Sequence, residues 1–131
     1  FSPLNYLFSC NYTYQHAKDI SVRGSSTYNR QIAYIPFETF STLSSLSYKN
    51  LSFNYNLLYN GFRYVLDENI YSNMIPSWWI SDISTIYEIE VRKYLLQIKG
   101  EISNLLNKQY EVIRSFPMPG KTFSISLTLN Y

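Results

Sequence analysis

Residues 122–131 alternate without a break. Phe123, Ile125, Leu127, Leu129 and Tyr131 fall on one side of the chain, and Thr122, Ser124, Ser126, Thr128 and Asn130 on the other. A period of two marks an extended strand, because helical geometry would scatter the same residues around the axis. Eight steps of about 3.3 Å give an apolar face roughly 26 Å long. Tilted by about 40°, such a strand crosses roughly 20 Å, comparable to the apolar band of a membrane barrel, about 25 Å. The opposite face is small and hydroxylated, without the charges of a fully solvated surface. A soluble β-sandwich strand would alternate as well, so the rest of the chain must discriminate.

The same alternation recurs upstream. Over residues 4–15, Tyr6, Phe8, Cys10, Tyr12 and Tyr14 share one face, and Asn5, Ser9, Asn11, Thr13 and Gln15 the other. A second strand is expected over 37–48, with Phe40, Leu46 and Tyr48 in register. In a third, over 51–64, Leu51, Phe53, Tyr55, Leu57 and Tyr59 alternate with Ser52, Asn54, Asn56 and Asn60. A fourth, over 79–89, sets Ile83, Tyr87 and Ile89 against Asp82, Ser84 and Glu88. The fifth segment, 94–107, fits a strand but also an amphipathic helix through Leu95, Ile98, Ile102, Leu105 and Leu106; pattern alone leaves the choice open. Gly100 at its centre would cost a helix about 1 kcal/mol.

The connections alternate in length: long, short, longer, short, intermediate. The short turns fall near Lys49-Asn50 and residues 91–93, and are expected at the same end of the sheet as Tyr131. Segregating short turns from long loops is the habit of outer-membrane barrels. Trp78 and Trp79 follow a long loop, where an interfacial aromatic girdle would lie; the plainer reading is a buried aromatic pair. Composition points the same way. The chain has 14 Tyr, 8 Phe and 2 Trp with 15% charged residues, yet no run of about 18 apolar residues that a membrane helix would need. The expected fold is therefore all-β, an antiparallel up-and-down meander of about six strands.

The chemistry-bearing residues are sparse. A net charge of +2 argues for neither a nucleic-acid nor an acidic partner. Cys10, the single cysteine, can form no internal disulfide and has no metal-ligand company. His16 lacks a nucleophile placed by any motif. Asp82, Glu88 and Glu101 are dispersed and read as residues that solvate a barrel lumen. Asp67 and Glu68 read as a solvated turn rather than a metal site. No enzyme activity, cofactor or metal is expected.

Residues 104–131, NLLNKQYEVIRSFPMPGKTFSISLTLNY, resemble the C-terminus of TonB-dependent outer-membrane receptors. Asn104, Leu105, Asn107, Lys108 and Tyr110 match the Asn-Leu-Phe-Asp/Asn-Lys-x-Tyr segment that this family carries on its penultimate strand, with Leu106 in place of Phe. Pro117, Met118, Pro119 and Gly120 match the following loop, with Lys121 in place of Arg. The alternating strand from Phe123 then ends on Tyr131, where Phe is usual. Upstream, RQIAYIPFETF resembles the family's Ile-Pro-x-x-x-Phe strand entry, and PSWWISDIS a later one.

The resemblance implies a strand for the fifth segment. It also implies a bacterial outer-membrane location and import of a scarce nutrient: an iron chelate, haem, cobalamin or an oligosaccharide. Its compact ending favours the siderophore and cobalamin types. Residues 1–131 would then form the C-terminal part of a large transmembrane β-barrel whose plug and earlier strands are absent. Phe1 in place of Met, with no signal peptide before the first strand, agrees. The implied partners are the TonB complex through the missing part, outer-membrane lipid, the nutrient ligand, and the barrel assembly machinery that reads the terminal strand and Tyr131. Segments 18–34, 67–77 and 112–121 are ligand-contact candidates by loop position alone. The competing class is a soluble all-β module that binds a ligand or carbohydrate. A sandwich would bury Phe123, Ile125, Leu127 and Leu129 between two sheets, whereas a barrel segment would leave them facing outward.

Overall fold

The chain, seen in a computed structural model that describes residues 4–131, is a single antiparallel sheet with its long loops gathered at one end. Residues 1–3, Phe1 among them, lie outside the described set. The main strands are β1 (Asn5–Tyr14), β2 (Glu38–Tyr48), β3 (Leu51–Asn60), β6 (Trp78–Val91), β7 (Tyr94–Ser103) and β10 (Thr122–Asn130). They pair in the order β1-β2-β3-β6-β7-β10, a six-stranded meander. The loops carry two small hairpins, β4 (Arg63–Tyr64) with β5 (Met74–Ile75), and β8 (Glu111–Ile113) with β9 (Phe116–Pro117).

Register sorts the side chains into two faces. Across the sheet, Tyr12 lies opposite Phe40, Phe40 opposite Tyr59, and Tyr59 opposite Trp79. A second row runs from Tyr48 through Leu51 to Tyr87. Eight residue steps separate the rows on each strand, from Phe40 to Tyr48, Leu51 to Tyr59 and Trp79 to Tyr87, so about 26 Å. The positions between them on this face are Thr42, Ser44 and Leu46, then Phe53, Tyr55 and Leu57, then Ser81, Ile83 and Thr85, all uncharged. Toward the other edge Ile102, Gly100, Ile98 and Leu96 pair with Phe123, Ile125, Leu127 and Leu129 on the same face. The opposite face carries Asn54, Asn56, Asp82, Ser84, Glu88, Gln97, Lys99 and Glu101.

No second layer covers the apolar face among the described residues. Phe123, Ile125, Leu127 and Leu129 are 61–82% exposed, and the one buried apolar side chain there is Ile75, in a loop hairpin. The sheet is held by its backbone ladder and by cross-strand pairs rather than by a core.

The two short turns, at Lys49-Asn50 and Arg92-Lys93, lie at the end of the sheet where β10 finishes, as the alternation of loop lengths implied. Lys49 and Arg92 adopt φ of 52° and 58° to make them. Asn50 ties its turn to the next strand: its Nδ2 donates to the Glu88 carbonyl at 2.9 Å, and its own carbonyl accepts from Glu88 N–H at 2.9 Å.

Several strand limits differ from those read off the sequence. The third strand stops at Asn60 instead of running to residue 64, because its partner β2 begins at Glu38. Gly61 N–H still donates to Glu38 O at 2.8 Å, and a Cβ on Gly61 would lie 2.8 Å from Glu38 Cγ and 2.9 Å from Glu38 O. The fourth strand is longer than expected, Trp78–Val91 rather than 79–89. The fifth segment is a strand and not a helix, but it ends at Ser103 instead of residue 107. Residues 104–110 therefore form a loop, and the motif assigned to the penultimate strand lies just beyond it. Trp78 and Trp79, read together as girdle residues, point to opposite faces. Trp79 joins the aromatic row, and Trp78 turns to the polar side.

Candidate functional site

The three long connections, 15–37, 61–77 and 104–121, meet at one end of the sheet and are cross-linked. Between the first two, Asn69 clamps the backbone of Gln31: its Oδ1 accepts from Gln31 N–H at 2.6 Å and its Nδ2 donates to Gln31 O at 2.8 Å. Asp67 Oδ1 accepts from Ala33 N–H at 2.9 Å, and Arg30 Nη1 donates to Glu68 O at 2.7 Å. Asp67, read from sequence as part of a solvated turn, is thus a loop clamp. Within the first loop Asp19 accepts from the backbone and hydroxyl of Ser21 at 2.9 and 2.6 Å, and from Thr27. Those hydrogen bonds, Ser21's foremost, hold its carboxyl below the usual carboxylate value.

Arg63 joins the second loop to the third. It is 3% exposed, and its Nη2 donates to the carbonyls of Glu111 and Val112 at 2.9 and 2.6 Å. Burial lowers its pKa from the ordinary value. Nothing in the sequence marked this arginine, because a basic residue after a strand usually points to water.

The motif residues explain the third loop. Asn104 is 4% exposed with φ of 50°, a left-handed conformation that asparagine tolerates. Its Oδ1 accepts from Lys108 N–H at 2.8 Å, and its Nδ2 donates to the carbonyls of Lys108 at 2.9 Å and Pro119 at 3.2 Å. Its backbone N–H donates to Asp82 Oδ1 at 2.8 Å, which anchors the loop to β6. Leu105 N–H reaches Ser81 O at 2.8 Å. Asn107, at φ of 52°, accepts from Lys121 N–H at 2.9 Å through Oδ1. A Cβ on Gly120 would sit 2.5 Å from that oxygen, so the glycine makes room for the link.

Lys108 places its ammonium 5.0 Å from the centre of the Trp79 ring. Tyr110 packs on Trp78 with ring centres 4.5 Å apart. Burial first, and the Asp82 carboxylate second, raise the pKa of the Tyr110 phenol. Pro117 pairs with Glu111 in the β8–β9 hairpin. Phe123 lies exposed on β10, and Tyr131 comes after the last paired residue, fully exposed. The family motif is thus split. Asn104, Leu105, Asn107, Lys108, Tyr110, Pro117, Pro119 and Gly120 shape one loop, while Phe123 belongs to the edge strand and Tyr131 to its end.

Two of the hollows among the loops bear on ligand binding. One, of about 430 Å³, is lined by His16, Lys18, Tyr28, Arg30, Phe37 and Tyr64, with Asn29, Gln31 and Asn69, and holds no carboxylate. His16 stands 5.5 Å from Phe37, which packs on Phe62 at 4.9 Å. The other, about 460 Å³, is lined by Ile75, Pro76, Trp78, Tyr110 and Pro117, with Ser77, Gln109 and Glu111. The candidate segment 18–34 thus contributes to the first hollow and 67–77 to both; of 112–121, Pro117 reaches the second. On the polar face of the sheet, Lys99 pairs with Glu101, and Gln97 Nε2 donates to Glu88 Oε1 at 2.7 Å. Asp82, Glu88 and Glu101 all lie on that face.

No family model matches the sequence, and no curated protein resembles it closely enough to count as a match. Among solved structures, the crystal structure of BauA, the ferric preacinetobactin receptor from Acinetobacter baumannii, superposes with a TM-score of 0.78 over 90% of this chain at 16% sequence identity. The chain spans 18% of the length of that protein's chain. The likeness is one of fold.

Proposed function

We propose that this chain is the C-terminal part of the barrel of a TonB-dependent outer-membrane receptor, which imports a scarce nutrient. The observation that carries this reading is the single-layer sheet. Its apolar face is uncovered, uncharged in its middle, and bounded by an aromatic row at the loop end and, about 26 Å along the strands, by Tyr48 and Tyr87 flanking Leu51. Its other face is polar and holds the carboxylates. Lipid on the first side and a water-filled or plugged lumen on the second satisfy both. The fold likeness to BauA and the motif at residues 104–131 support the same reading. In it, the unpaired edges of β1 and β10 meet the remaining barrel strands. The TonB complex acts through a plug outside this chain, and the assembly machinery reads the terminal strand.

The loop end would face outward. The hollow lined by His16, Lys18 and Arg30 beside Tyr28, Phe37 and Tyr64 suits an anionic, ring-bearing nutrient such as an iron chelate. A soluble binding module fits less well, because one buried apolar side chain among the described residues is no core for an isolated domain. The test uses the full-length protein in a Gram-negative host lacking its own iron-chelate receptors. Radioiron uptake from a panel of ferric chelates should depend on the protein and stop when TonB is inactivated. A protein recovered in the soluble fraction, or uptake indifferent to TonB, would overturn the proposal.

A further inference from the structure

The short-turn end of the sheet carries two lysines on one side and its side-chain carboxylates on the other. Lys49 lies over the Tyr48 ring, 5.2 Å from its centre, and Lys93 over the Tyr94 ring at 5.3 Å. Both tyrosines belong to the apolar face, opposite Leu51 and Val91. The stacking therefore holds each ammonium toward the apolar side, Lys49 beside the lower row and Lys93 about four residues beyond it along the strands. Arg92 shares the second turn, which lies two strand spacings, about 10 Å, to the side of the first and about four residues, roughly 13 Å, further along the strands.

The side-chain carboxylates at this end are Glu88 and Glu90, and both face the polar side; Glu88 accepts from Gln97. Among the described residues the one ion pair is Lys99–Glu101, so none of the three cations has a carboxylate partner. At the loop end the apolar side carries both signs: Glu38 accepts from the hydroxyls of Tyr12 at 3.2 Å and Tyr59 at 3.1 Å, and Lys108 lies over the Trp79 ring.

We propose that Lys49, Arg92 and Lys93 form a docking surface for the headgroups of anionic glycerophospholipids in the leaflet at the short-turn end. The inference rests on the apolar face meeting lipid and goes beyond nutrient import. The chemistry is that of a snorkelling cation. The aliphatic stem and the aromatic ring lie in the interfacial zone, and the charge reaches the phosphate plane. A zwitterionic headgroup offers the same phosphate, but its own ammonium cancels the net attraction. An anionic leaflet does not.

The test places the full-length receptor in nanodiscs of equimolar phosphatidylcholine and phosphatidylglycerol and counts the lipids retained on the released protein by native mass spectrometry. Phosphatidylglycerol should be retained about fivefold over phosphatidylcholine, the factor that about 1 kcal/mol for one basic side chain near an anionic leaflet corresponds to. The triple variant Lys49→Gln, Arg92→Gln, Lys93→Gln should bind both lipids equally while still inserting. Lys99→Gln, on the polar face, should keep the preference. Equal retention by the unsubstituted protein, or an unchanged preference in the triple variant, overturns the proposal and leaves the membrane reading intact. Failure of the unsubstituted protein to enter the nanodisc at all overturns both.

Discussion

Asn104→Ala is the substitution that should do most with the least change of surface. The side chain is 4% exposed and satisfies three backbone groups: Lys108 N–H and the carbonyls of Lys108 and Pro119. A net hydrogen bond contributes about 1 kcal/mol, so losing three costs the loop about 3 kcal/mol. Alanine at φ of 50° adds a further strain of about 1 kcal/mol. The loss should be local, because the ladder between β7 and β10 does not run through Asn104. The assay is hydrogen exchange on the assembled, full-length protein. The Leu105 amide, bonded to Ser81 O, and the Met118 amide, bonded to Tyr110 O, report loop opening without themselves touching the altered side chain. Both should exchange at least about 100-fold faster, the factor for roughly 3 kcal/mol of local opening. Amides in β7 should stay as protected as before. If Leu105 and Met118 exchange within about threefold of the parent rate, Asn104 does not hold this loop and the reasoning fails.

Other perturbations separate the two faces and the loop clamps. Leu127→Arg should cost about 2–4 kcal/mol of assembly stability by placing a charge in the apolar band, and Ser126→Arg should be better tolerated; outer-membrane yield of the two variants is the readout. Gly61→Ala should lower yield, because its methyl would meet Glu38 backbone, whereas Gly100→Ala should not, because nothing lies within 4 Å of the added carbon. Arg63→Met should loosen loop 61–77 from loop 104–121 by about 2–4 kcal/mol, seen as new protease cuts in both loops. The lowered pKa of Asp19 makes its contribution to loop 15–37 present at neutral pH and lost as pH falls through its folded value, below the ordinary 3.8; Ser21 amide exchange should accelerate only there. Deleting Tyr131 should reduce barrel assembly more than ligand binding per assembled molecule, and normal yield with lost binding would contradict that.

The sheet was legible because period two survives in almost every strand. In most strands one face is mainly apolar or aromatic and the other mainly small or polar, so the strands and their up-and-down order could be read from the pattern. Where the pattern was weaker, sequence overran structure. Leu105 and Leu106 continued the alternation past Ser103, and only the left-handed backbone of Asn104 shows why the strand stops. At β3 the alternation gave no sign of an end near Asn60; the ladder ends there because the partner strand begins at Glu38, a residue distant in sequence. Trp78 and Trp79 could not both face lipid, since neighbours on a strand point apart. The loops were the least legible. The hairpins β4–β5 and β8–β9 are too short to show a period, and the clamps of Asp67, Asn69 and Arg63 act on backbone atoms of other loops. The Asn104–Gly120 motif was visible from the family resemblance, but its physical role, closing a loop, was not.

Which way the sheet faces is measured directly by spin-label accessibility. In the full-length protein, with Cys10→Ser to remove the native thiol, nitroxides go one at a time at Phe53, Ile98 and Leu127, and at Asn54, Gln97 and Ser126. In lipid bilayers the first set should collide with dissolved oxygen and be shielded from a water-soluble nickel reagent, and the second set should show the reverse. Nickel access to both sets, or oxygen access without alternation between neighbours, would contradict a sheet with lipid on one face and an aqueous lumen on the other.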